Sequence, residues 1–448
     1  MWTSQALYAA AVVLALIALV LKSLVRNRFA SPLRHIPGPI LASLTDKWML
    51  YYDLAGVRTL TIHTLHRKYG SAVRIGPNEV SFSDVSVVNQ IYGQQTAFMK
   101  ESGTSAGAFN HEASSTADVF LRFRLFALDV VGELFLGTSF GALKAGTSPQ
   151  FLHDVDRHFL LSNIEWNFPW LAALLWWMPI PSIREFVGAS ERIAQFGHGA
   201  LQGYIQRYGR DSRRKDLLTK ILVSKDKDAD KAIMTDRETY VEIANLVFAG
   251  TDTTSTTLTY MFWSLARFPE WQDRIRSEID EKLGTGATYE QQAVAKMPVV
   301  GAVINEALRL YPAAPASLPG IAPQGGWSWN SYDIPAKTIV SMQCYTTQRN
   351  SAAFIDPESF SPTRWLDAEP TTDMKTLFMP FSKGTRACLG KRLAMLELKT
   401  VLIALMSRHV VKVPTQTTED SMSMRDHFLM MPKSGKCKLI FEPLPQKT

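Results

Sequence analysis

Apolar residues in this chain gather into a few long stretches set apart by polar and proline-rich text. The first, residues 6–21, is apolar throughout, about 24 Å of helix against a hydrocarbon core of about 30 Å. Carried on to Val25, with Lys22 reaching toward the headgroups, it spans about 30 Å. Positive charge follows the run at Lys22, Arg26, Arg28 and Arg34, and none precedes it. A cleaved signal peptide would carry its charge in front, so residues 1–28 read as a single-pass membrane anchor, with the remainder of the chain cytoplasmic. Residues 29–40 hold Pro32, Pro37 and Pro39 and read as a stiff, extended, basic hinge, because proline fixes φ and cannot continue a helix. Residues 41–448 form the globular part.

Within that part the period of the pattern changes from segment to segment. Leu60–Tyr69 reads as a short helix, and residues 72–83 alternate around Gly76-Pro77-Asn78 as a hairpin. Residues 98–117 are rich in Ser, Thr, Gly and Ala without a clear period and read as loop. Residues 165–181 carry Trp166, Trp170, Trp176 and Trp177 among three prolines, and two readings stand: a membrane-surface contact or burial in a core. Residues 207–231 are charge-rich, as in a solvated helix end and loop. Strand patterns follow at residues 331–335 and 338–345, and residues 428–441 alternate through Pro432–Gly435 as a closing hairpin.

Residues 239–268 read as a long apolar helix with an unusual centre, Ala249-Gly-Thr-Asp252-Thr253-Thr-Ser-Thr-Thr257. Glycine and β-branched alcohols are poor helix-interior formers, the glycine costing up to about 1 kcal/mol. Hydroxyls that bond back to the i−4 carbonyl can open a helix locally. An acid beside a hydroxyl, Asp252 and Thr253, could relay protons into an otherwise dry pocket. A loose polar face on a surface helix fits poorly with the apolar flanks at 243–248 and 258–262.

Composition narrows the classes. The 448 residues, 46% hydrophobic and 20% charged, suit one large globular domain or two. A net charge of +7 suits an acidic protein partner or an anionic membrane surface and is too diffuse to argue for nucleic acid. The three cysteines, Cys344, Cys388 and Cys437, lack zinc-ligand spacing and make no disulfide framework, which points to a reducing compartment.

One of them stands apart. Phe381-Ser-Lys-Gly384-Thr-Arg386-Ala-Cys388-Leu-Gly390 runs straight into the apolar-periodic helix at 391–408. Cys388 therefore sits near a helix N-terminus, where backbone N–H groups and the dipole push a thiol of ordinary pKa about 8.5 toward thiolate. Gly384 and Gly390 allow a tight turn and a close approach to a flat partner, and Arg386 suits a carboxylate on that partner.

The run Phe-x-x-Gly-x-Arg-x-Cys-x-Gly resembles the haem-ligand loop of the cytochrome P-450 monooxygenases, in their microsomal eukaryotic form. Residues 36–39 and 126–130 look most like fungal members of secondary metabolism. The resemblance implies a mainly α fold with small β-sheets behind an N-terminal transmembrane helix. It implies that Cys388 is the proximal thiolate ligand of haem b, with Arg386 on a propionate and Phe381, Gly384 and Gly390 shaping the loop. Thiolate ligation favours O–O cleavage. Ala-Gly-x-Asp-Thr-Thr resembles the family's oxygen-activation motif, which places Asp252 and Thr253 over the haem. Glu306-x-x-Arg309, followed by Phe360-x-Pro-x-Arg364-Trp365, resembles its buried Glu–Arg–Arg network, a scaffold for the cysteine loop. The implied activity is O2-dependent monooxygenation of a lipophilic small molecule at the endoplasmic reticulum membrane. Electrons from NADPH would arrive through a flavoprotein reductase.

The chain departs from the family pattern in two places. Where residues 98–117 stand, the family has a mobile substrate loop and a helix carrying propionate ligands. Residues 122–140 already resemble a later helix, so several dozen residues are missing. His111, Arg122 and Arg124 are the nearby cations, each read as solvated. Gly320 stands where the pattern offers Arg or His. These departures keep open a truncated, haem-free relative with no activity. A reductase-independent haem-thiolate isomerase or dehydratase is a further alternative, against which the intact Asp252–Thr253 pair weighs.

Overall fold

The computed structural model describes residues 11–92 except 12, 13, 16 and 17, then 116–214, 216–223, 234–283, 296–367 and 369–445, with Arg386 described by its backbone alone. In chain order the elements that matter are helix α1 (Arg58–Tyr69), strands β1 (Ala72–Gly76) and β2 (Glu79–Phe82), and β3 (Thr116–Asp118). Helices α2 (Val119–Val131), α3 (Gln150–Asn167), α4 (Pro169–Trp177), α5 (Ala189–Tyr208), α6 (Asp236–Arg267), α7 (Pro269–Leu283) and α8 (Pro298–Leu310) follow. Then come β4 (Ser317–Ile321), β5 (Trp327–Trp329), β6 (Tyr332–Ile334), β7 (Ile339–Gln343), α9 (Lys391–Met406), β8 (His409–Lys412), β9 (Met424–His427), β10 (Leu429–Pro432) and β11 (Lys438–Pro443). The expected mainly helical fold with small sheets is what forms. The chain divides into two compact units: Met1–Glu101, Pro315–Pro357 and Thr371–Ala387 make the first, and Ser102–Ala314, Glu358–Pro370 and Cys388–Thr448 the second.

The first unit is built on a four-stranded sheet of order β1-β2-β7-β4. The β1–β2 hairpin is the one the alternation at 72–83 predicts, and β7 joins it in parallel, with Val80 opposite Val340. Helix α1 covers β1 by burying Ile62 and Leu65 against Val73 and Ile75. The segment expected to be an extended hinge is partly folded: Pro32–His35 form a 3-10 turn, opened by a Ser31 Oγ that accepts from the Leu33 N–H at 3.2 Å. Proline at the first helical position favours such a turn. Leu33 and Ile36 are buried, and the Arg74 N–H donates to the Pro37 carbonyl at 2.8 Å, so this stretch lies on β1. Of the expected anchor, residues 1–10 and four of the next seven lie outside the described residues. Among the described residues no helix is long and apolar enough to cross a membrane.

The second unit is organised around α6. Its start is fixed by a capping box, in which Thr235 Oγ1 accepts from the Glu238 N–H at 3.2 Å and Glu238 Oε2 accepts from the Thr235 N–H at 2.7 Å. Leu125, Leu128 and Val131 of α2 and Leu201 and Tyr204 of α5 pack with Val247, Phe248 and Ala249 of α6 in one buried cluster. Helix α5 reaches α6 so closely at Gly197 that a β-carbon there would lie 2.1 Å from the Tyr240 carbonyl oxygen.

The centre of α6 stays an unbroken α-helix despite its alcohols. Thr251, Thr253, Thr257 and Thr259 do bond back to carbonyls four residues earlier, at 2.7–3.1 Å, without opening the ladder. The closing hairpin is a correction. β10 pairs with β9, leaving Phe428 alone in the turn, while β11 pairs with β3 and β8. Alternation marks strands but carries no information on partners, which tertiary packing chooses here.

Candidate active site

The cysteine loop is best followed from each side. In the first unit, Gly384–Arg386 form a 3-10 turn closed by an Ala387 N–H to Gly384 carbonyl bond of 3.1 Å. Gly384 has φ +70°, the left-handed region that favours glycine. Gly390 does not need that freedom: its φ is −80°, and it caps α9. In the second unit, Cys388 is half-buried and stands three residues before Lys391, which opens the 16-residue α9. The first-turn amides of such a helix lack intrahelical acceptors, and its dipole favours an anion nearby. A half-buried soft donor ahead of a helix fits a sulfur-ligated iron, as in a haem-thiolate. The Arg386 side chain lies outside the described residues. Gly320 sits in β4 opposite Val340.

Asp252 and Thr253 lie at the middle of α6, in the same unit as Cys388. Asp252 is buried, whereas Thr253 is the one residue of the 251–260 stretch that is not. The Thr253 hydroxyl donates to the Ala249 carbonyl at 3.1 Å. Arg124 of α2 grips Asp252 with two bonds, Nε to Oδ1 at 2.6 Å and Nη2 to Oδ2 at 2.9 Å. The same guanidinium reaches Asp156 of α3 at 2.8 and 3.2 Å. Burial raises the Asp252 carboxyl above the ordinary carboxylate range, with Arg124 opposing. Burial pulls Arg124 down, but Asp252 and Asp156 outweigh it and hold the guanidinium above its usual value. Arg124 was expected on a solvated face and instead is committed to these two carboxylates, because burying Asp252 demands a counter-charge. Arg122 is exposed as expected, and His111 lies outside the described residues.

Glu306, Arg309 and Arg364 come together as the pattern predicts. Glu306 and Arg309 have no exposed surface. Glu306 Oε1 accepts from Arg309 Nη2 at 2.9 Å, Arg364 Nε at 3.0 Å and the Ser361 N–H at 2.8 Å. Oε2 accepts from Arg309 Nε and from Trp365 Nε1, each at 2.9 Å. Trp365 is a member that sequence reasoning missed, although it stands next to Arg364. Arg309 also donates to the Ser359 carbonyl at 2.9 Å, tying α8 to the 3-10 turn Pro362–Trp365.

Of the two readings of the tryptophan-rich segment, burial in a core does not hold. Trp166, Trp170 and Trp177 are 86%, 68% and 84% exposed, so they form no core. A second missed residue is Glu397 of α9, buried, with neither carboxyl oxygen hydrogen-bonded. The Thr254 hydroxyl on α6 lies close enough to act on this carboxyl but, among the described residues, makes no hydrogen bond of ordinary geometry.

The sequence model described as Cytochrome P450 matches residues 61–439 of this chain. The chain is 28% identical over 475 residues to cytochrome P450 monooxygenase stcB of Emericella nidulans, covering 93% of this chain and 90% of that protein. It is 28% identical over 490 residues to cytochrome P450 monooxygenase tazI of Aspergillus terreus, covering 97% and 98%. Both alignments are longer than the 448 residues of this chain, so these relatives carry residues that it lacks. Among solved structures, a cytochrome P450DA heme domain superposes with a TM-score of 0.74 at 16% identity, covering 91% of this chain and 98% of that one, a likeness of fold.

Glu397 supplies a test of the buried charge balance. Burial pushes its carboxyl from 4.5 up to about 8, with Thr254 pulling the other way. Between those values the folded chain holds a proton that the unfolded chain has released. This contribution to stability is therefore full below about pH 4.5, falls as pH rises, and is lost above about pH 8. Glu397→Gln should match the parent near the lower limit and exceed it at the upper one by on the order of a few kcal/mol, read from urea midpoints. Parallel pH curves for the two proteins would show that another group titrates.

Proposed function

The chain belongs to the cytochrome P450 family, and from that premise we propose that it inserts one atom of O2 into a lipophilic small molecule, as a fungal enzyme of secondary metabolism. It is a P450-type monooxygenase, and the family uses haem. The proposal adds the rest: Cys388 as iron ligand, Arg386 at a propionate, electrons from NADPH through a flavoprotein reductase, and residence on the endoplasmic reticulum membrane. The observation that carries it is the half-buried Cys388 at the head of α9, in one unit with a buried acid and an accessible alcohol on α6. When bound, thiolate-ligated haem b supplies the activation of O2.

The chain's own residues then have distinct tasks. The α9 dipole and first-turn amides hold Cys388 as the anion. Thr253 presents a hydroxyl anchored on Ala249, and Asp252 beside it is the acid that can resupply its proton. Arginine does not deprotonate, so Asp252 is able to exchange a proton only when Arg124 yields it and leans on the half-exposed Asp156. Glu306 fixes α8 to the turn at Pro362–Trp365 and takes no part in the chemistry.

The haem-free alternative draws on the longer alignments of the relatives, whose extra residues we place where 98–117 stand in this chain. A reduced carbon-monoxide difference spectrum separates the two readings. The purified protein should give the thiolate-haem band and Cys388→Ser should lose it; a parent without the band would leave the haem-free reading standing. Thr253→Ala should keep that band while product formed per NADPH falls by about tenfold or more, the scale of a lost general acid. Unchanged coupling would remove Thr253 from proton delivery. The exposed tryptophans of residues 166–177, with the apolar N-terminal run, suit a membrane surface. Deleting residues 1–28 should leave residual co-sedimentation with lipid vesicles, and adding Trp166→Ser, Trp170→Ser and Trp177→Ser should remove it. Residual binding that survives all three changes would place the contact elsewhere.

A further inference from the structure

Arg74 of β1 is a cation shut away from water, 2% exposed, and every group it holds is neutral. Its Nε donates to the Gly76 carbonyl at 3.2 Å. Its Nη2 donates to the Pro77 carbonyl at 2.6 Å, the Asn27 carbonyl at 2.9 Å and the Ser31 Oγ at 3.1 Å. Among the described residues its Nη1 has no hydrogen bond and the side chain forms no ion pair. Burying a charge without a counter-ion is costly, and the bonds that offset the cost here reach 47 residues back along the chain. Asn27 lies in the π-turn Arg26–Ala30, and Ser31 opens the 3-10 turn Pro32–His35. Two further ties fasten the same segment. Asn27 Nδ2 donates to the Leu44 carbonyl at 3.0 Å, and a β-carbon on Gly38 would stand 2.3 Å from the Arg74 carbonyl oxygen. Residues 27–38 are a fastened strap, not a free hinge.

One residue works against the fastening. Arg28 is half-buried in the gripped turn, between the two positions that Arg74 holds, and among the described residues it forms no ion pair. Burial first, and then the Arg28 charge, pull the Arg74 guanidinium below its ordinary value. An arginine cannot relieve this by giving up its proton, so the repulsion loosens the strap instead. An anion settled on Arg28 cancels the repulsion and leaves Arg74 its hydrogen bonds alone. Leu19, Val20, Leu21 and Val25, just before the strap, are each more than half exposed, as on a surface that meets lipid. The phosphate of an anionic headgroup is the anion found at that level.

We infer that Arg28 and Arg74 form a lipid-set latch, in which an anionic headgroup phosphate on Arg28 removes its repulsion of Arg74 and locks residues 27–38 onto the β1–β2 hairpin. The inference rests on the membrane residence proposed above and names the lipid charge and the part of the fold that answers to it. It needs neither haem nor turnover.

Amide hydrogen exchange over residues 29–38 of the full-length protein, followed by mass spectrometry, reads the strap directly. It is measured without lipid, with inorganic phosphate, and with vesicles of phosphatidylcholine alone or mixed with phosphatidylglycerol. The phosphatidylglycerol vesicles should slow exchange by about 2- to 5-fold, the scale of one partly screened charge pair, and the other two additions should leave it unchanged. Arg28→Gln should exchange about 2- to 5-fold more slowly than the parent with no lipid present, and gain nothing further from phosphatidylglycerol. Arg74→Met should exchange about tenfold faster or more and lose the lipid response. If that variant does not fold, Ser31→Ala, which removes a single acceptor, should exchange faster and keep the response. An Arg28→Gln strap no slower than the parent's, or one still slowed by phosphatidylglycerol, would overturn the latch. Equal slowing by phosphatidylcholine or by inorganic phosphate would overturn the anionic lipid as its ligand. Normal vesicle binding with unchanged exchange would sink the latch alone, whereas no binding to either vesicle would sink the membrane reading with it.

Discussion

A carboxylate with no exposed surface governs the scaffold of the second unit. Glu306 taken alone would be intolerable, since an unpaired buried charge costs several kcal/mol even after relaxation. It persists because Arg309, Arg364, Trp365 and the Ser361 amide all point at its two oxygens. The donors come from one helix and from a turn some 55 residues later, so the carboxylate is satisfied only when those two segments are in register. Set against an apolar substitute, such a cluster adds little net stability; its value lies in admitting one arrangement of α8 and the Pro362–Trp365 turn.

The same physics runs along α6 in a looser form. Thr251, Thr257 and Thr259 spend their hydroxyls on carbonyls of their own helix, which lets a polar sequence lie buried at little cost. Asp252 cannot be satisfied that way, and Arg124 supplies the counter-charge from α2. Glu397 is left without either device, and burial drives it toward the neutral form. Three buried carboxyls in one unit thus meet three fates: full pairing, a pairing shared with a half-exposed rival, and loss of charge.

What the amino-acid sequence made legible follows this division. Periodicity located α1, α6, α9 and the β1–β2 hairpin, because each is set by contacts within one stretch of chain. Longer patterns singled out Cys388, Asp252, Thr253 and the Glu306 network. Partners remote in sequence were invisible: nothing near Arg124 says that its carboxylate lies 128 residues downstream. Glu397 sits in an amphipathic helix where a glutamate reads as solvated, and it is buried only once α9 packs against its neighbouring helices. The start of α6 was legible and overlooked, since Thr235-x-x-Glu238 is a capping-box signature. Phe428 was read into a strand because alternation runs through it, while its left-handed backbone is forced by the pairing of its neighbours.

Asp252 shows why a site of this kind cannot be optimised for stability alone. Were Arg124 fully buried with a single partner, the ion pair would be tight and the acid would be locked against proton exchange. In the proposed relay Asp156 works against that, because it gives the guanidinium a second partner that is 41% exposed. The guanidinium holds both carboxylates at once, at 2.6 Å on the buried side and 2.8 Å on the exposed side. Burial and the charge of Asp156 both raise the proton affinity of Asp252 against the pull of Arg124, which favours the proposed role of this carboxyl as a proton donor.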